Sequence, residues 1–205
     1  MKLKHPINLH KGLTFFVVGF LMYFYDNYSL PALLYLALHG TYGFLWLLKD
    51  RWYPDRQWEQ SISVPYAFVV FFSLCLYWAA PVILITQRVE PPDTVLFAAV
   101  LLNVWGVFLH FGSDAQKHFT LTAAPGQLIT EGFFARNRNT NYLGELLIYT
   151  SFALLAMHWI PFVVLAAFVA FVFVPNMIRK DKSLSRYPGF ASYRQRSGFF
   201  LPRFW

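Results

Sequence analysis

The chain has 205 residues, of which 57% are hydrophobic, 20% aromatic and only 13% charged. A soluble domain carries about 25% charged and about 45–50% apolar residues, so the abundance of Phe (23), Tyr (12) and Trp (7) excludes an ordinary soluble globule and, equally, a disordered chain. The single cysteine, Cys75, lies in an apolar run and leaves no disulfide framework and no cysteine-based zinc site.

These numbers point to an all-α, polytopic membrane protein forming one integral membrane domain over 1–205. A spanning helix needs roughly 20 mostly apolar residues. In chain order six runs qualify: 13–25 (extending back toward Leu9), 30–48, 63–86, 94–112, 142–158 and 160–176. The last two nearly abut at His158-Trp159-Ile160-Pro161, which predicts a tight helical hairpin. No small-residue cleavage site follows Tyr23-Phe24-Tyr25-Asp26, so the first span is expected to be retained.

The basic residues order these spans. Lys2, Lys4 and Lys11 precede the first; Lys49, Arg51 and Arg56 follow the second; Lys117, Arg136 and Arg138 follow the fourth; seven more lie in the tail. Only Arg88 falls in an alternate connection. Cytoplasmic loops are rich in Lys and Arg, so six spans with both termini cytoplasmic fit the pattern. The net charge of +7 then reflects topology and a possible anionic-ligand site, and no nucleic-acid partner is expected.

Two long polar stretches, 113–141 and 177–205, share the cytoplasmic side, and long loops often carry function. At the end of the fourth span His110, Asp114, Lys117 and His118 stand at i, i+4, i+7 and i+8, one helix face. They read either as a polar groove, since ionisable groups are costly at membrane depth, or as a frayed helix end. The segment Arg136-Asn137-Arg138-Asn139-Thr140-Asn141-Tyr142-Leu143-Gly144-Glu145 places two guanidinium forks and a helix start together, a pattern suited to phosphate. It reads equally as Asn141 capping a helix, Glu145 complementing its dipole and the arginines anchoring it. The tail mixes Arg179, Arg186, Arg194 and Arg196 with Tyr187 and Tyr193; it either lies on anionic headgroups or folds back to close a pocket. His39 and Tyr42, three apart in the second span, are either a proton donor or packing residues. No zincin His pair, P-loop, GxSxG or GxGxxG occurs.

Ser113-Asp114-xx-Lys117 and Asn141-Tyr142-Leu143-Gly144-Glu145 resemble the steroid 5α-reductase and sterol reductase superfamily, with Tyr193 and the late Leu-Pro similar to that family's closing tail. The stretch around Tyr42 and Tyr53-Pro-Asp55 is similar to a bacterial branch. The resemblance covers about 39–205, its reductase-like part about 94–205. It implies a membrane oxidoreductase that takes NADPH at the cytoplasmic side and reduces a carbon–carbon double bond in a lipid-like enone. Carried over, it implies cofactor contacts at Asp114, Asn141 and Glu145, and at Arg179, Tyr187 and Tyr193. His110, Lys117, Arg136, Arg138, Tyr142 and Arg196 are expected beside them, with His39 or Tyr42 polarising the carbonyl. The family's early Gln-Glu pair has no counterpart. Isoprenylcysteine carboxyl methyltransferases share the architecture, so an S-adenosylmethionine-dependent methyltransferase is the alternative, although the His-Pro of that motif is missing before Tyr142; a non-catalytic lipid-binding protein is the third reading. The bacterial inner membrane is the expected location.

Overall fold

The computed structural model describes residues 1–204; Trp205, the last residue of the tail, lies outside the described residues. The described residues are helical, with no strand beyond two isolated bridges. In chain order the helices are α1 (Lys4–Phe24), α2 (Leu30–Tyr35), α3 (Thr41–Trp52), α4 (Val64–Cys75), α5 (Ala79–Thr86), α6 (Asp93–Ala123), α7 (Thr140–Leu155), α8 (Trp159–Phe168), α9 (Val174–Leu184) and α10 (Phe190–Arg196). A π turn over Leu36–Gly40 joins α2 to α3, another over Val169–Phe173 joins α8 to α9, and a 3-10 turn over Leu76–Trp78 joins α4 to α5.

Among the described residues, five continuous helices are long and apolar enough to cross a membrane: Lys4–Phe24, Leu30–Trp52, Val64–Thr86, Asp93–Ala123 and Trp159–Leu184. The protein is an integral membrane protein. The expected sixth span is α7, which has 16 residues and so reaches about 24 Å, short of the roughly 30 Å hydrocarbon layer. The first helix begins nine residues before the apolar run because its polar residues find partners within the protein. Asn8 Nδ2 donates to Asp50 at 2.8 Å, and Trp46 Nε1 donates to Asn8 Oδ1 at 3.0 Å. Lys4 bonds Glu59. The α8–α9 helix runs past the expected residue 176 to Leu184. Its π turn ends two residues before Pro175, whose missing N–H and ring a regular α-turn accommodates poorly.

The chain divides into two compact units, Met1–Asn103 with Tyr149–Leu165, and Val104–Ile148 with Ala166–Trp205. In the first, Gly43 lets α3 approach α1 so closely that an added Cβ would strike the Lys11 carbonyl. The two ends of this unit differ as the basic residues anticipated. Lys2 and Lys4 meet Glu59 at one end, where the two ammonium groups hold that carboxyl down at about 2. At the other end, Arg88 donates to the carbonyls of Tyr25 at 2.8 Å and Asp26 at 3.1 Å, so the one exceptional arginine ties two loops together. The α7–α8 connection is the expected tight turn: Met157 takes φ 46° and Ile160 N donates to His158 Nδ1 at 3.2 Å.

In the second unit α6 and α7 meet backbone to backbone. A Cβ on Gly144 would lie 2.5 Å from the His110 nitrogen and 2.7 Å from the Gly106 carbonyl oxygen. Two glycines facing each other allow this approach, as small residues do at membrane helix crossings. Gly144→Ala is therefore expected to force the helices apart at a cost of about 1–3 kcal/mol. Thermal unfolding in detergent should show a midpoint lower by several degrees; an unchanged midpoint would contradict the crossing.

Candidate functional site

The second unit gathers most of the residues singled out in the sequence. The α6 helix stays regular through Ala123, so His110, Asp114, Lys117 and His118 do share a helix. His110 and Asp114 are buried, and Lys117 and His118 are half-buried. His110 Nδ1 donates to the Asn141 carbonyl at 3.0 Å, directly above the Gly106–Gly144 crossing. Asn141 and Glu145 are one turn apart on α7.

Asn141 does not cap this helix. The regular turns begin at Thr140, and the Asn139 carbonyl accepts from Tyr142 N at 3.0 Å and Leu143 N at 3.1 Å. Thr140 Oγ1 donates to the Phe133 carbonyl at 2.6 Å, anchoring the start of α7 to the preceding loop. That loop is itself fixed by Gln116 of α6, whose Nε2 donates to the Glu131 carbonyl at 3.0 Å and whose Oε1 accepts from Phe133 N at 2.9 Å. Gly132 sits between them at φ 58°, a conformation that suits glycine. The Asn141 side chain is left available: its Oδ1 is buried and has no hydrogen-bond partner among the described residues, and the same holds for Asn139 Oδ1.

The expected convergence of loop and tail is present, and Arg138 is its centre. Its guanidinium is 4% exposed. Nε donates to both Asp181 carboxylate oxygens at 3.1 Å, and Nη2 to Oδ2 at 3.0 Å. Nη1 donates to the Ser197 carbonyl at 2.5 Å and to Ser197 Oγ at 3.2 Å. Around it the backbones pair: Arg138 N donates to the Gly198 carbonyl at 3.1 Å, while Gly198 N and Arg203 N each donate to the Arg136 carbonyl at 2.9 Å. Asn137 and Asn139 donate through Nδ2 to the carbonyls of Phe200 and Phe199 at 2.9 and 2.7 Å. Lys180 Nζ donates to the Arg138 carbonyl at 2.6 Å.

Other expected ligand contacts serve this fastening. Tyr193 Oη donates to the Phe134 carbonyl at 2.7 Å, and burial pushes its phenol up to about 12, against the pull of nearby Arg138. It therefore remains a donor at physiological pH. Tyr142 packs with Phe173 and Met177 in an apolar cluster. Arg136, Arg179 and Arg196 are exposed, and Tyr187 is half-buried. Asp181, Ser197 and Gln116 were not legible as partners, because each lies far along the chain from the group it holds.

His39 and Tyr42 belong to the first unit, at 1% exposure each. Both face the same two rings: His39 stacks on Phe152 at 4.0 Å and meets Tyr149 at 6.3 Å, while Tyr42 lies 6.1 Å from Tyr149 and 6.3 Å from Phe152. His39 Nδ1 and Tyr35 Oη share a hydrogen bond of 2.9 Å. The π turn that carries His39 was not anticipated; such turns are frequent at functional sites. Nor was Lys11, which the sequence placed among the topology-setting bases. It is 3% exposed, donates to Tyr149 Oη at 2.5 Å, and lies 4.2 Å from the Tyr42 ring centre and 5.1 Å from that of Trp46. Aromatic faces stabilise a desolvated ammonium group.

Breaking a buried ion pair costs about 3–5 kcal/mol when one partner is left uncompensated. Asp181→Leu should therefore destabilise the second unit strongly, and limited proteolysis should cut the tail much faster than in the wild type. Tyr193→Phe, which removes one donor from a buried carbonyl, should cost about 1–3 kcal/mol. Equal cleavage rates in wild type and the Asp181 variant would show that the tail is held by other means.

A search of the curated proteins finds no match. The profile of one family, described as "Protein of unknown function (DUF1295)", matches residues 12–197, a span that takes in the α6–α7 crossing and the Arg138–Asp181 fastening and begins just after Lys11. The chain belongs to the DUF1295 family.

Proposed function

We propose that this protein is a membrane-embedded, NADPH-dependent reductase acting on a carbon–carbon double bond of a lipid-like enone, located in the bacterial inner membrane. The observation that carries the cofactor half is the buried, unsatisfied Asn141 Oδ1 on the helix whose Asn-Tyr-Leu-Gly-Glu sequence resembles the steroid 5α-reductase superfamily. A buried acceptor without a donor is destabilising, and a ribose hydroxyl or carboxamide N–H would satisfy it.

In this reading Asp114, Asn141 and Glu145 take hydrogen bonds from ribose and amide groups, and His110 holds the Asn141 backbone in place. The exposed Arg136, Arg179 and Arg196 supply charge for the phosphates. Arg138 and Tyr193 act at one remove, by keeping loop and tail together. NADPH supplies a hydride when bound.

In the first unit, Lys11 and Tyr149 join His39 and Tyr42 as the polarising group. An ammonium hydrogen-bonded to a phenol oxygen makes that phenol a better donor to a carbonyl, and a dry surrounding strengthens the effect. Lys11, Tyr149 and Tyr42 thus offer proton donation, with His39 braced by Tyr35.

The methyltransferase alternative is weaker because the His-Pro of its motif is absent before Tyr142. Thermal unfolding of the detergent-purified chain separates the two, since a ligand that binds only the native state raises the midpoint. NADPH is expected to raise it and S-adenosylmethionine to leave it unchanged; the reverse would favour the methyltransferase, and no shift with either would end both. Tyr149→Phe should keep the NADPH shift while reducing enone turnover by about 10²-fold or more, the range of a lost general acid.

A further inference from the structure

The tail contains a hollow that the reductase reading does not use. It has a volume of about 740 Å³ and is lined by Ser185, Arg186, Tyr187, Arg194, Gln195 and Arg203, with Phe190 among the apolar residues of its wall. No acidic residue lines it, and the tail's one acidic side chain, Asp181, is engaged by Arg138. Three guanidinium groups around one concavity repel each other, and an anion would relieve that repulsion.

Two of the three are pre-positioned. Arg186 lies over the Tyr187 ring at 5.0 Å and donates through Nη2 to Tyr187 Oη at 3.2 Å. Arg203 donates through Nη1 to the Gln195 carbonyl. Each keeps further N–H groups in the planar fork that matches phosphate oxygens. The location supplies the second argument. The helix that carries the last apolar run continues through the charged turns Arg179-Lys180-Asp181-Lys182 to Leu184, and the lining begins with the next residue, Ser185, so the hollow follows the last spanning helix on its basic side.

We propose that this hollow binds the phosphate of an anionic phospholipid headgroup, with Arg186, Arg194 and Arg203 as ligands and Tyr187 and Phe190 against the glycerol. A phosphorylated soluble molecule presents the same oxyanion, so the test includes both sources.

The full chain, purified in an uncharged detergent, is melted with dihexanoyl phosphatidylglycerol, dihexanoyl phosphatidylcholine or inorganic pyrophosphate, as wild type and as Arg194→Gln/Arg203→Gln. Phosphatidylglycerol should raise the wild-type midpoint saturably and phosphatidylcholine should not. The double variant should need at least about tenfold more lipid for the same shift, the loss expected for removed charge-assisted hydrogen bonds. Arg186→Gln gives the same reading should the double variant melt early without ligand. A shift with pyrophosphate alone, abolished by the same substitutions, would keep the phosphate site and overturn the lipid assignment. No shift with either anion, or shifts that the arginine substitutions leave intact, would overturn the site.

Discussion

The buried guanidinium of Arg138 is the constraint on which the second unit depends. A charge with 4% exposure is tolerable only where its donors are met, and Asp181 and Ser197 meet them. Those partners lie 43 and 59 residues further along the chain. Satisfying one side chain therefore fastens the loop before α7 to α9 and to the segment after α10. The paired backbones at Arg136, Arg138 and Gly198 follow from that fastening, and so does the position of the asparagines on either side.

The same logic explains the α6–α7 contact. Gly106 and Gly144 remove the side chains that would hold the helices apart, and His110 then reaches the Asn141 carbonyl. Close packing and the His110 hydrogen bond set the register between Asp114 on one helix and Asn141 and Glu145 on the other. In the first unit, a lysine placed among aromatic faces and a phenol plays the comparable part: Lys11 is held by Tyr42, Trp46 and Tyr149, and the dense packing permitted by Gly43 puts it there.

Much of this was legible in the residues. Apolar runs located the long helices, and the clustering of bases placed Lys2 and Lys4 on one side with the loop after the second span, whose Glu59 they meet, and Arg88 on the other. Boundaries were less legible, because apolarity stops where polar residues begin even when they are paired internally, as Asn8 and Lys11 are. The bounds of α7 were shifted for the related reason that His158 and Met157 are compatible with a span by composition, whereas the helix runs Thr140–Leu155 and the chain turns at Met157 with positive φ. At the site, Asn141 read equally as a cap or a ligand contact; only the helix start at Thr140 decides against the cap. Arg138 read as a phosphate ligand because a guanidinium fork suits phosphate and carboxylate alike, and sequence spacing does not reveal Asp181 as the carboxylate it meets.

In the proposed reductase this fastening shapes a face for a dinucleotide cofactor. Calorimetric titration of NADPH into the purified wild type and into Asp181→Asn tests it most directly. The account predicts saturable binding to the wild type and an affinity at least about tenfold lower in the variant, the equivalent of roughly 1.4 kcal/mol, even where the variant remains folded. No heat of binding in the folded wild type, or equal affinity in the two proteins, would contradict it.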